Sequence, residues 1–237
     1  MQKTKILSLA ILAALLSSPC AWAAEPTPAA AETAAAQTDT MTTGSTEAAE
    51  DETTVYGNAS VPMPDAPLDL VEFTAAKMVS GEKVTLADSY AALKNDENIV
   101  LVKNGADVTL SHGALNKTGN TTSVRGSKFN GQNAGVLAAD ATLALDGCTI
   151  RTEADGANAV FAAGPKGVIK IHDSNIRTTG INSRGLDAVK GASITADNIN
   201  IGTTGLRSAA LATEPAGAVL NVSKSTVNTS GQASPLV

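Results

Sequence analysis

Four stretches decide the fold: GVLAADATLALDGCTIRTEADG (135–156), AVFAAGPKGVIKIHDSNIRTTG (159–180), GLDAVKGASITADNINIGTTG (185–205) and ALATEPAGAVLNVSKSTVNTSG (210–231). They align as a degenerate repeat with a period of 24 to 26 residues. Three apolar columns set the register: Val136, Val160, Leu186 and Leu211; Leu143, Ile169, Ile194 and Leu220; Ile150, Ile176, Ile201 and Val227. The step from the third column to the next first column is ten residues each time, so the length variation falls between the first and second columns.

Two residues after each column stands another side chain suited to an interior: Ala138, Ala162 and Ala188; Leu145, Ile171, Ala196 and Val222; Thr152, Thr178, Thr203 and Thr229. That is period-two alternation, the mark of a strand, three times per repeat. Asn, Asp, Gly and Ser separate the strands, as tight turns require. Three short strands per repeat, stacked at one period, describe an all-β parallel β-helix whose rungs hydrogen-bond to each other at about 4.8 Å. The 3.6-residue spacing of a helical repeat is absent.

An earlier rung fits through VTLSHGAL (108–115), with Val108 and Leu110 in the second column pair and Leu115 in the third; VTLADSYA (84–91) begins or caps the stack. The expectation is a solenoid of five to six rungs over 78–237. From Leu115 to Val136 the step is 21 instead of ten, so NKTGNTTSVRGSKFNGQNAG (116–135) is expected to project from one corner as the contact feature. GQASPLV (231–237) stops where another rung would start. Bare strand edges need cover, which predicts either a longer chain or a partner over that end.

Ahead of the repeat, residues 1–23 carry Lys3 and Lys5, the apolar run ILSLAILAALL (6–16), and Ala21 and Ala23 at the small-residue positions of a cleavage site. This reads as a bacterial-type secretory signal, its apolar run too short to span a bilayer. Pro19 precedes Cys20 where lipoprotein signals carry Gly, Ala or Ser, which disfavours lipidation. Cleavage leaves Cys148 as the single cysteine, so no intrachain disulfide forms. Residues 24–77 are rich in Ala, Thr, Glu and Pro, and 24–69 hold nine acidic residues and no basic ones. Such a segment buries too little to offset its ordering entropy and is expected to be a disordered tether. From Ser80 onward 14 basic residues face 13 acidic ones, so the net charge of −6 belongs mostly to the tether. With no concentrated basic patch, nucleic acid is excluded as a partner. Only 6 of the 237 residues are aromatic.

A secretory signal followed by rungs such as DSNIRTTGINSRGL (173–186) and KSTVNTSG (224–231), rich in Thr, Ser, Asn and Gly and poor in Cys, resembles the passenger region of bacterial autotransporters. The resemblance covers about 80–237 and implies a pertactin-like right-handed β-helix, with this chain as the N-terminal fragment of a longer protein. It further implies export, passage across the outer membrane through a translocator, and cell-surface or extracellular display with a structural or adhesive role in virulence. Host surfaces, other cells or polysaccharide are the partners it implies; without a translocator the protein would stay periplasmic. The membrane barrel of the complete family pattern has no counterpart in these residues, since only three aromatic side chains follow Ser80.

Chemistry-bearing columns are few. Asp146, His172 and Asp197 fall on successive rungs, roughly 5 Å apart. A carboxylate, imidazole, carboxylate ladder suits general acid and base work and motivates the alternative function, a secreted β-helix lyase or hydrolase acting on polysaccharide. A solvated ion-pair ladder is the plainer reading, and no catalytic residue is assigned. Arg151 and Arg177 stack on neighbouring rungs and could hold an acidic sugar. The outward column Leu137, Phe161, Asp187, Ala212 contains one acid, which argues against a calcium cluster. Two histidines and one mature cysteine lack zinc-ligand spacing, so no metal or cofactor is expected. The threonine column shares parity with the buried isoleucines and is expected to point inward, against an ice-binding face. Cys148 sits at a small corner position and is expected to be buried and inert.

Overall fold

A computed structural model describes residues 73–214 and 217–237. The chain divides into two units, Met1–Ala59 and Ser60–Val237, and every described residue belongs to the second. The secretory segment and the tether up to residue 72 lie outside the described residues.

Six rungs follow one another in chain order. The first comprises β1 (Thr74–Ser80), β2 (Lys83–Leu86) and β3 (Tyr90–Ala92); the second β4 (Glu97–Lys103), β5 (Asp107–Ser111) and β6 (Ala114–Lys117). After a short helix α1 (Val124–Asn130) come β7 (Val136–Ala139), β8 (Thr142–Asp146) and β9 (Thr149–Thr152), then β10 (Val160–Ala163), β11 (Val168–His172) and β12 (Asn175–Thr178). The fifth rung is β13 (Leu186–Val189), β14 (Ser193–Asp197) and β15 (Asn200–Thr203), the sixth β16 (Leu211–Thr213), β17 (Val219–Ser223) and β18 (Thr226–Thr229). The first strands of all rungs form sheet A, the second strands sheet B and the third strands sheet C, each of six parallel strands. The chain is a parallel β-solenoid.

The register is the one the apolar columns specify. Val160 pairs with Val136 and Leu186, Ile169 with Leu143 and Ile194, and Ile176 with Ile150 and Ile201. Val108 meets Leu143 and Leu115 meets Ile150, which places 108–115 one rung below. These side chains, with Ala138, Ala162, Ala188, Leu145 and Ile171, fill one continuous core along the axis. Because each rung buries its apolar face only against its neighbours, the stack supplies the order that disulfides supply in many small exported domains.

From the second rung on, each corner between sheets B and C turns on one left-handed residue: His112 (φ 57°), Gly147 (62°), Asp173 (49°), Asn198 (54°) and Lys224 (49°). Gly tolerates this conformation best and Asn and Asp next, which suits Gly147, Asp173 and Asn198 to these corners. On the next position Ser174 and Ser225 knit rungs together, each hydroxyl accepting a backbone N–H from the rung before, from Cys148 and Ile199 respectively.

Three features depart from the sequence reading. Strand β1 begins at Thr74, four residues before the boundary placed at 78. A first-column strand, β4, precedes the 108–115 segment and pairs with β7. The 116–135 segment does not project as a loop. It contains α1, capped by the Ser123 side chain accepting from the Gly126 N–H and closed by Gly131 at φ 74°. The segment is tied down: the Ser127 hydroxyl donates to Gly156 O (2.6 Å), Asn98 Nδ2 to Gly131 O (2.9 Å) and Asn158 Nδ2 to Ser127 O (3.1 Å). A Cβ on Gly131 would stand 2.7 Å from the Phe161 ring, so the chain here touches the outer face of sheet A. Leu101, Leu137, Phe161 and Val189 on that face form a second, outer core against which Phe73 also packs.

Candidate functional site

The column Asp146, His172, Asp197 assembles at the corner between sheets B and C, because β8, β11 and β14 end in register. His172 Nδ1 lies 3.3 Å from Asp146 Oδ1, and Nε2 3.8 Å from Asp197 Oδ2. A third carboxylate joins them: Asp173 Oδ2 is 3.2 Å from Nδ1, brought round by the left-handed turn at that residue. Ser223 donates to Asp197 Oδ1 (2.8 Å), and Lys224 Nζ stands 3.3 Å from the same atom. That hydroxyl, then the ammonium and His172, hold the Asp197 carboxyl below its ordinary range. His172 and its carboxylates are about half exposed (55% for the imidazole, 51% for Asp146), so solvent screens their attraction. The arrangement can exchange a proton or offer Asp146, His172 and Asp173 to a cation.

On sheet C the two arginines are adjacent register partners, Arg177 opposite Arg151, and both are exposed. They border a shallow groove of about 650 Å³ that extends over β9, β12, β15 and β18. The next position along their column is Gly202, where a Cβ would meet nothing within 4 Å. The groove therefore has a cationic end, an open notch, and a polar margin of Asn175, Asn200 and Asn228.

The column that sequence parity turned outward from sheet A is outward but covered. Leu137, Phe161 and Asp187 are fully buried, and only Ala212 is partly open. Asp187 accepts from Arg184 Nη1 (2.9 Å), which also reaches Glu214 Oε1 (2.7 Å), while Asn158 Nδ2 approaches Asp187 Oδ2 (3.4 Å). Burial pushes the Asp187 carboxyl up to about 7 against the pull of Arg184. Sequence reasoning saw one acid in this column and missed its partner; the signal available was the i, i+3 pair Arg184 and Asp187.

Lys117 was also missed. It takes the inward place that Thr152 takes one rung later, and its Nζ donates to Lys94 O (2.9 Å) and Gly119 O (2.6 Å). Burial pushes its ammonium down to about 8. The threonine column does point inward: Thr178, Thr203 and Thr229 hydroxyls donate to the turn carbonyls of Ser183, Ser208 and Ser234. Cys148 is fully buried, its Sγ 3.3 Å from Leu110 O, and burial raises the thiol. A low-pKa nucleophile has the opposite environment.

Among the described residues no helix is long and apolar enough to cross a membrane. Fold and faces define a parallel β-solenoid with polar outer surfaces on sheets B and C. No protein-family model, curated protein or solved structure matches the chain.

Proposed function

We propose that this chain is a bacterial exported β-helix displayed at the cell surface, with a structural or adhesive role. The observation that carries the reading is the outer face of sheet C, where successive rungs present Thr149, Asn175, Asn200 and Thr226 in register along the axis. A row of polar side chains at rung spacing is a contact surface for an extended partner, and a solenoid offers such surfaces along its whole length. The secretory signal read over 1–23 and the lone buried thiol Cys148 agree with export of a chain that needs no cross-link.

Localisation tests this directly. The full-length gene is expressed in a Gram-negative host, and intact cells are treated with an external protease before fractionation. Expected is a mature protein beginning at Ala24 and degraded from outside. A chain that keeps Met1 and stays in the cytoplasm refutes the proposal.

A further inference from the structure

The groove on sheet C has a cationic end. Among its lining residues are two cations, Arg151 and Arg177, and no acidic side chain. Strand pairing sets their Cα atoms about 5 Å apart. Like charges facing each other on neighbouring strands repel. Neither arginine forms a hydrogen bond or ion pair with a described residue. Several other cations are paired: Lys83 with Asp107, Arg184 with Asp187 and Glu214, and Lys224 with Asp197. Two adjacent guanidinium groups without a protein partner present ten N–H donors in planar forks, a geometry matched to carboxylate or sulfate oxygens.

The shape of the groove narrows the ligand. It crosses four strands, so about three rung spacings, or roughly 15 Å, separate its ends. That is longer than a single small anion. Past Arg177, the absent side chain of Gly202 leaves a notch, flanked by the exposed amides of Asn175, Asn200 and Asn228. Amides and hydroxyls beside a notch suit sugar hydroxyls. No aromatic side chain lines the groove, so it lacks the stacking platform on which single-stranded nucleic acid lies.

We propose that this groove binds an acidic polysaccharide, with Arg151 and Arg177 clamping the anionic group of one sugar and the Gly202 notch receiving the next ring. The site rests on the surface-display reading and names the partner class of that surface. Carboxylated and sulfated polymers share the chemistry that the arginines recognise.

The test uses the purified full mature chain in biolayer interferometry against immobilised polygalacturonate, heparin and neutral dextran. Expected is salt-sensitive binding to at least one polyanion and none to dextran; the stronger polyanion identifies carboxylate or sulfate as the preferred group. Arg151→Gln with Arg177→Gln weakens that binding about tenfold or more, as loss of charge-assisted bonds requires. Gly202→Tyr fills the notch and weakens it to a similar degree while leaving the arginines in place. Lys170→Gln, an exposed cation on the outer face of sheet B, leaves binding unchanged. Unaltered far-UV circular dichroism and melting of each variant separates lost binding from lost fold. No binding to either polyanion, or a loss in Lys170→Gln equal to that of the arginine pair, overturns the proposal. Protease shaving of cells reads display independently, so a displayed chain that ignores both polyanions removes the groove assignment alone.

Discussion

Adding one methyl group at Gly205 should cost far more than adding it three residues earlier at Gly202. A Cβ at Gly205 would lie 1.7 Å from the Gly180 carbonyl oxygen of the rung below and 2.8 Å from Ser208 Oγ. Contact at ordinary distance needs the rungs to part by more than 1 Å or the carbonyl to swing away. That carbonyl accepts from the Ser208 hydroxyl (2.9 Å), and Ser208 Oγ in turn accepts the Ser183 N–H (2.9 Å), so either movement breaks a buried ladder. Overpacking of this kind costs about 1–3 kcal/mol, and the broken bond adds about 1 kcal/mol. A loss of about 3 kcal/mol lowers the midpoint of a body this size by roughly 10 °C. Ala154 holds the same turn position two rungs earlier, so alanine is compatible with the turn, and the inter-rung distance is what excludes it at 205. Gly202→Ala meets nothing within 4 Å and should shift stability by no more than about 0.5 kcal/mol. Thermal unfolding followed by circular dichroism compares the two variants. Equal midpoints would refute the claim that close rung stacking, and not turn geometry, selects glycine there.

Phe161→Ala empties the centre of the outer core, where the ring is fully buried, and should cost about 3–5 kcal/mol. Since the end of α1 rests on that ring, limited proteolysis should gain cuts between 118 and 134; an unchanged cleavage map would show that the helix is held by its polar ties alone. The stability profile should have a minimum between pH 7 and 8. Asp187, raised to about 7 by burial against the pull of Arg184, binds a proton when folded that the unfolded carboxyl has already released. Its stabilisation is complete below about pH 4 and lost as pH rises through 7. Lys117, lowered to about 8 by burial against the pull of Glu97 and Asp96, works the other way, and stability recovers between about pH 8 and 10. Melting temperatures across pH should lose the acid limb in Asp187→Asn and the alkaline limb in Lys117→Met; a limb that survives its substitution assigns it to another group.

Sequence revealed the solenoid because interior and exterior alternate strictly in β8, β9, β11 and β12, so three columns could be aligned without any coordinates. It concealed β4 for the converse reason. Ile99, Val100, Leu101 and Val102 are all buried, two faces at once, and a run without alternation carries no parity. Similarly, Leu137 and Phe161 were correctly turned outward, yet their cover comes from a segment whose VRGSKFN helix has no apolar period of its own. The corner ladder was legible as Asp146, His172 and Asp197 since strand ends stay in register. Asp173 was not, because its approach to His172 depends on a left-handed turn that composition permits but does not announce.

The three sheets share one kind of interior and differ in what they present outside. Sheet A hides its outer face beneath hydrophobic contacts and the Arg184, Asp187, Glu214 cluster, so its chemistry serves stability. Sheet B ends in a corner where each charge has a neighbour of opposite sign: His172 among carboxylates, Asp197 against Lys224. Sheet C alone sets two cations side by side without a protein counter-charge and follows them with a position that has no side chain. Unrelieved repulsion between Arg151 and Arg177 costs stability in the free protein. A bound anion removes that cost, so the same pair that slightly destabilises the empty solenoid raises its affinity for a polyanion. The double glutamine variant should therefore melt no lower than the parent while binding less, a combination that damage to the fold cannot produce.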